Sequence, residues 1–114
     1  MKTLSLCAAA AFAFALSPAA SAQTAMTPVA DCGPVEGTIR VADDDQITPD
    51  LARVSLKDAR AALVRAVPGA TVTELELDEE DGFLVYEADL WRGNVKLEAV
   101  VDAGSGEVLC LEQD

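Results

Sequence analysis

Residues 54–114 show one stretch of helical periodicity and then four stretches of alternating periodicity, with turn residues between them. Few architectures accept that order, because a lone helix has one apolar stripe to bury and the strands must supply the surface. Ser55 and Asp58 have the spacing of a capping box, in which hydroxyl and carboxylate satisfy amides at the helix start. Leu56, Ala59, Leu63 and Ala66, with Ala62 and Val67 beside them, predict the stripe, and Pro68-Gly69 ends the helix. Three or four turns are marginal alone in water, so this helix needs a sheet to lie on.

The strands follow at once. Residues 71–78 put Leu75 and Leu77 on one side and Glu74, Glu76 and Asp78 on the other. Residues 79–82 read as a hairpin loop, with Asp81-Gly82 its strongest cue. Residues 83–91 set Leu84, Tyr86, Ala88 and Leu90 against Glu87 and Asp89, and residues 95–102 set Val95, Leu97, Ala99 and Val101 against Lys96 and Glu98. Residues 107–112 form a last strand whose register is open, because 108–111 is continuously apolar. Val72, Phe83, Trp91 and Val100 fall on the polar side, either as a small apolar patch or beneath the preceding segment. The expected fold class is α+β: one helix on an antiparallel β-meander of three to four strands, the other sheet face polar and offering little cleft.

The N-terminal third reads differently. Lys2, the apolar run of residues 4–16 and the small-residue pattern Ala20-Ser21-Ala22 predict a signal peptide over 1–22, too short to span a bilayer. Residues 23–46 then form a flexible acidic arm punctuated by Pro28 and Pro34, and the folded domain occupies 47–114. The expectation is a periplasmic or secreted protein with no membrane span in the mature chain. Cys32 and Cys110 survive processing, and an oxidising compartment favours a disulfide between them over free thiols or an intermolecular bridge.

Charge and chemistry narrow the function classes. The mature chain keeps every one of the 20 acids and loses one of the 8 bases, Lys2. A nucleic-acid partner is excluded by the lack of clustered bases. The chain has no His, so a nucleophile triad lacks its usual base, and two cysteines without His make no zinc pattern. No cofactor is expected beyond a weakly held divalent cation. Its loop candidates are Asp43, Asp44 and Asp45 and then Asp78, Glu79, Glu80 and Asp81, none in EF-hand spacing. If adjacent strands pair, Glu74, Glu76, Glu87, Asp89 and Glu98 become cross-strand neighbours at up to about 1 kcal/mol of repulsion per pair. That face is either a solvated surface that resists aggregation or, with Trp91 at its margin, a platform for a cationic protein surface.

The helix Val54-Ser55-Leu56-Lys57-Asp58-Ala59-Arg60-Ala61-Ala62-Leu63, the run Gly82-Phe83-Leu84-Val85-Tyr86-Glu87-Ala88-Asp89-Leu90 and the ending Val101-Asp102-Ala103-Gly104-Ser105-Gly106-Glu107-Val108 resemble the PepSY domain family. The Leu-Val-Tyr-Glu run and the Val-Asp-Ala-x-x-Gly-Glu-Val ending are the most specific parts, and the resemblance covers roughly residues 47–114. It implies a non-catalytic module that restrains a peptidase or regulates another envelope protein, acting on a separate chain. It supplies no catalytic residues.

Overall fold

The computed structural model describes residues 25–114, so the signal peptide expected at 1–22 lies outside the described residues. One helix, α1 (Leu56–Ala66), is followed by four strands, β1 (Thr71–Glu80), β2 (Phe83–Arg92), β3 (Val95–Asp102) and β4 (Val108–Gln113). The strands form one antiparallel sheet in chain order, and α1 lies across one face of it. A short 3-10 turn, Pro49–Leu51, leads into the helix.

The helix forms where the capping and stripe residues place it. The Ser55 hydroxyl accepts from the Asp58 amide at 3.0 Å. Ala59, Ala62, Leu63, Ala66 and Val67 are buried against Leu84, Tyr86, Ala88, Leu90, Leu97, Ala99, Val101, Val108 and Leu111. The three alanines let the helix backbone approach the sheet, and Leu63 fills the centre, where full burial stabilises by about 2 kcal/mol. Leu56 is not part of the stripe. It stands at the first helical position, before the helix reaches the sheet, and is 45% exposed.

Three local features differ from the sequence expectation. Glu79 and Glu80 belong to β1, not to a loop, because Asp81 and Gly82 alone make the turn with φ of 53° and 86°. Two residues with positive φ match the twist of the flanking strands. A bulge at Thr73 turns Val72 towards the helix side, where it packs on the core. A second bulge, at Leu109, settles the register of β4: Val108 and Leu111 face the helix while Cys110 and Glu112 face away.

The described part of the arm is tied to the domain at several points. The Met26 amide donates to the Ala66 carbonyl at 2.8 Å, which satisfies a terminal carbonyl of α1. Val29 then runs parallel to β4, donating to the Leu111 carbonyl and accepting from the Gln113 amide, both at 2.9 Å. Cys32 and Cys110 form a disulfide with Cα atoms 5.8 Å apart. Beyond it the Val35 amide donates to Asp81 at 2.8 Å, and Arg40 pairs with Phe83 and stacks 4.8 Å over its ring. The arm thereby covers Phe83 and Val85 on the far face of the sheet, and both are buried. For Phe83 this settles the alternative left open by periodicity, which reports strand alternation and not what a distant segment covers.

Candidate functional site

The far face of the sheet is built from the even positions of β1 and the odd positions of β2. Register aligns them into rows across the strands. One row runs Glu74, Asp89, Glu98, Glu112, with a carboxylate on every strand. The next runs Glu76, Glu87, Val100, Cys110 and ends at the disulfide to the arm. Glu80 lies beyond them at the end of β1.

These residues line an open cleft of about 260 Å³, with Gly33 and Val35 of the arm as one wall. A flat sheet face has no such wall, and the sequence reading of little cleft is corrected by the disulfide-held arm. Glu112 is fixed at that wall by the Cys32 amide, which donates to Oε2 at 3.0 Å. Lys96 is the cation set against the face, 3.9 Å from Asp89 and 3.8 Å from Asp114. Trp91 pairs across the strands with Lys96 and is 40% exposed at the margin of the same face, neither covered by the arm nor in the cleft lining.

Crowding of like charges alters the titration of this face. Burial pushes the Glu87 carboxyl up to about 7, helped by the charges of Glu80, Asp78 and Glu76 and by a hydrogen bond with Glu80. Burial also raises Glu80, against the hydrogen bond from Glu87, with Asp81, Asp78 and Glu112 adding to the rise. The hydrogen bond between the two carboxyls adds to the rise at Glu87 and opposes it at Glu80, so protonation of the pair favours Glu87. A raised carboxyl in a cleft is a mark of acid chemistry in some enzymes; here burial, with the register that sets Glu76, Asp78 and Glu80 around Glu87, raises it. The arrangement gathers negative charge in one cleft, a field that favours positive charge beside it.

The other candidates separate. Asp43 and Asp44 lie exposed in a turn, and Asp45 accepts from the Ala42 amide at 2.7 Å. Asp78 accepts from the Glu79 amide at 2.7 Å, Glu79 from the Gly82 amide at 2.6 Å, and Asp81 from Val35. Asp45, Asp78, Glu79 and Asp81 thus each accept from a backbone amide. Among the described residues, the triplet of metal-type ligand atoms that converges is Cys32, Cys110 and Glu112, and its sulfurs are bonded to each other. Sequence reasoning missed Glu112 and placed Glu80 in a loop. The Asp-Gly dipeptide was the signal that could have put Glu80 in a strand.

Tyr86 and Asp102, both within the most specific parts of the family resemblance, hold the fold. Tyr86 is buried beneath α1 and donates its hydroxyl to the Val54 carbonyl at 2.6 Å. Asp102, 1% exposed, accepts from the Ser105 hydroxyl at 2.7 Å, the Thr38 hydroxyl at 2.9 Å, and the amides of Thr38, Gly104 and Ser105 at 3.2 Å. Burial would raise its carboxyl, but these donors outweigh it and hold Asp102 below the usual carboxylate range. Gly104 has no room for a side chain, since a Cβ there would collide with the Thr38 hydroxyl.

Residues 53–109 match the family described as "Peptidase propeptide and YPEB domain" (PepSY). No curated protein and no solved structure shows significant similarity to the chain. The match spans α1, the Tyr86 and Asp102 anchors and the acidic rows of β1 to β3, and on it the chain belongs to the PepSY family.

Proposed function

We propose that the chain is a non-catalytic module of the periplasm or extracellular space that modulates a peptidase or another envelope protein. It does so by holding a positively charged segment of that protein against the acidic cleft. The observation that carries this reading is the register itself, which puts Glu74, Asp89, Glu98 and Glu112 side by side and Glu76 beside Glu87. Like charges directly opposite cost stability, and a cationic partner relieves that cost while gaining a steered encounter. Tyr86 and Asp102 are committed to the fold, while Glu87, from the same run as Tyr86, stands in the cleft.

Export is supported by the predicted signal peptide and by the disulfide, which belongs to oxidising compartments. Among the described residues, no helix is long and apolar enough to cross a membrane. The test is a binding and inhibition assay of the mature protein against co-secreted metallopeptidases, with the triple variant Glu87→Gln, Glu98→Gln, Glu112→Gln beside it. Binding that weakens with salt and in the variant supports the reading. Neither binding nor inhibition anywhere in that set removes it.

The same carboxylate row favours a second reading, a divalent-cation site. Calcium that raises the melting temperature well beyond an equal ionic strength of sodium chloride would select it.

A further inference from the structure

We propose that the free edge of β1 is the docking line for an extended segment of a partner protein in which Lys or Arg alternates with apolar residues. This rests on the cation-binding reading of the open face and adds where the partner lies and what sequence it has.

The direction of the backbone groups along β1 follows from β2. The Leu84 amide donates to the Ile39 carbonyl at 2.9 Å, and the Leu84 carbonyl accepts from the Ala103 amide at 3.2 Å. Both groups of Leu84 therefore point away from β1. Its partner there, Glu79, turns amide and carbonyl outward, and by the two-residue repeat so do Leu77 and Leu75.

The ends of this edge are closed by side chains. The Glu79 amide donates to Asp78 at 2.7 Å, and Arg60 Nη1 donates to the Val72 carbonyl at 3.4 Å. Between them the outward groups of Leu75 and Leu77 have no partner among the described residues. The opposite edge differs: at β4 the arm supplies a strand partner through Val29. One edge is closed by the chain itself, and the other is open over the length of a short strand.

An added strand would point alternate side chains to the two faces of the sheet. One set would lie beside Glu74, Glu76 and Asp78, which calls for positive charge. The other set would lie beside the half-buried Leu75 and Leu77. The half-buried apolar side chains of Leu75 and Leu77 call for apolar residues beside them. A second copy of this chain does not fit, because β1 against β1 would set these acids beside their own kind.

The experiment titrates the mature protein with a peptide of alternating Lys and Val, about six residues long. A peptide of the same composition with the lysines and valines segregated serves as the control. Amide hydrogen exchange and NMR shifts are followed throughout. Expected are binding about tenfold tighter for the alternating peptide, slowed exchange at the Leu75 and Leu77 amides, and loss of both effects in Glu74→Gln, Glu76→Gln, Asp78→Asn. Equal affinity of the two peptides, with shifts at Glu87 and Glu98 and unchanged exchange at Leu75 and Leu77, overturns the edge proposal and leaves the acidic-cleft reading standing. Failure of both peptides to bind overturns both. Concentration-dependent protection of Leu75 and Leu77 without peptide overturns the proposal in favour of self-association.

Discussion

Tyr86 on β2 and Val54 at the approach to α1 are joined by a 2.6 Å hydrogen bond beneath the helix. The bond fixes where the helix starts over the sheet, and it is reinforced by the Arg53 and Val54 amides, which both donate to the Ala103 carbonyl at 3.0 Å. Tyr86→Phe keeps the buried ring and strands that carbonyl. Unfolding in urea should show a loss of about 1–2 kcal/mol with an unchanged denaturant slope. An unaltered midpoint would mean that the bond contributes nothing.

Asp102 binds the β3–β4 turn to the arm through Ser105 and Thr38. Its folded carboxyl titrates below its unfolded value. Its contribution is therefore present above the unfolded value of about 4 and disappears as acid reaches the folded one. Asp102→Asn should lower stability at neutral pH and flatten the acid limb of a melting-temperature profile. A variant that loses stability equally at every pH contradicts the charge-based account.

Glu87 has the opposite sign. Its folded carboxyl is raised to about 7, so the stability is full below the unfolded value of about 4.3 and is lost as pH rises through about 7. Glu87→Gln should match the parent near pH 4 and exceed it above neutrality by about 1 kcal/mol, after discounting for solvent screening of a partly exposed group. With Asp102 limiting the acid side, the parent should be most stable between about pH 4 and 6, and circular dichroism melts across pH locate that maximum.

The disulfide secures the wall of the cleft. Replacing Cys32 and Cys110 by Ser should lower stability by about 2–4 kcal/mol through the longer free loop of the unfolded chain. It should also speed amide exchange at Val29 and Val35. Identical unfolding curves with and without a thiol reductant would show that the arm is held by its hydrogen bonds alone.

Added salt should stabilise this protein. The carboxylate rows repel one another, and ionic strength screens exposed charges over about 10 Å at 0.1 M. Melting temperature should rise with sodium chloride in the parent and rise less in the Glu87→Gln, Glu98→Gln, Glu112→Gln variant. A flat response in the parent would mean that the rows are already neutralised.

Much of this was legible along the chain, because helix and strand periods are local properties. Ser55 and Asp58 marked the start of α1, and Leu75, Leu77, Leu84, Leu90, Leu97 and Val101 marked the core face of the meander. The acids of the far face were legible for the same reason. Val72 and Val108 were not, since each depends on a one-residue bulge that reverses the face of what precedes it.

The order of residues by itself determined the α+β class and the acidic sheet face, and favoured Cys32 and Cys110 as partners, which the folded chain then joins. Only the tertiary structure decided that the arm pairs with the β4 edge, covers Phe83 and Val85 and walls a cleft that half-buries Glu80 beside Glu87 and raises both carboxyls. Alternation and capping depend on neighbours a few residues apart. Walls, shifted carboxyls and open edges depend on segments that meet only after the chain has closed on itself.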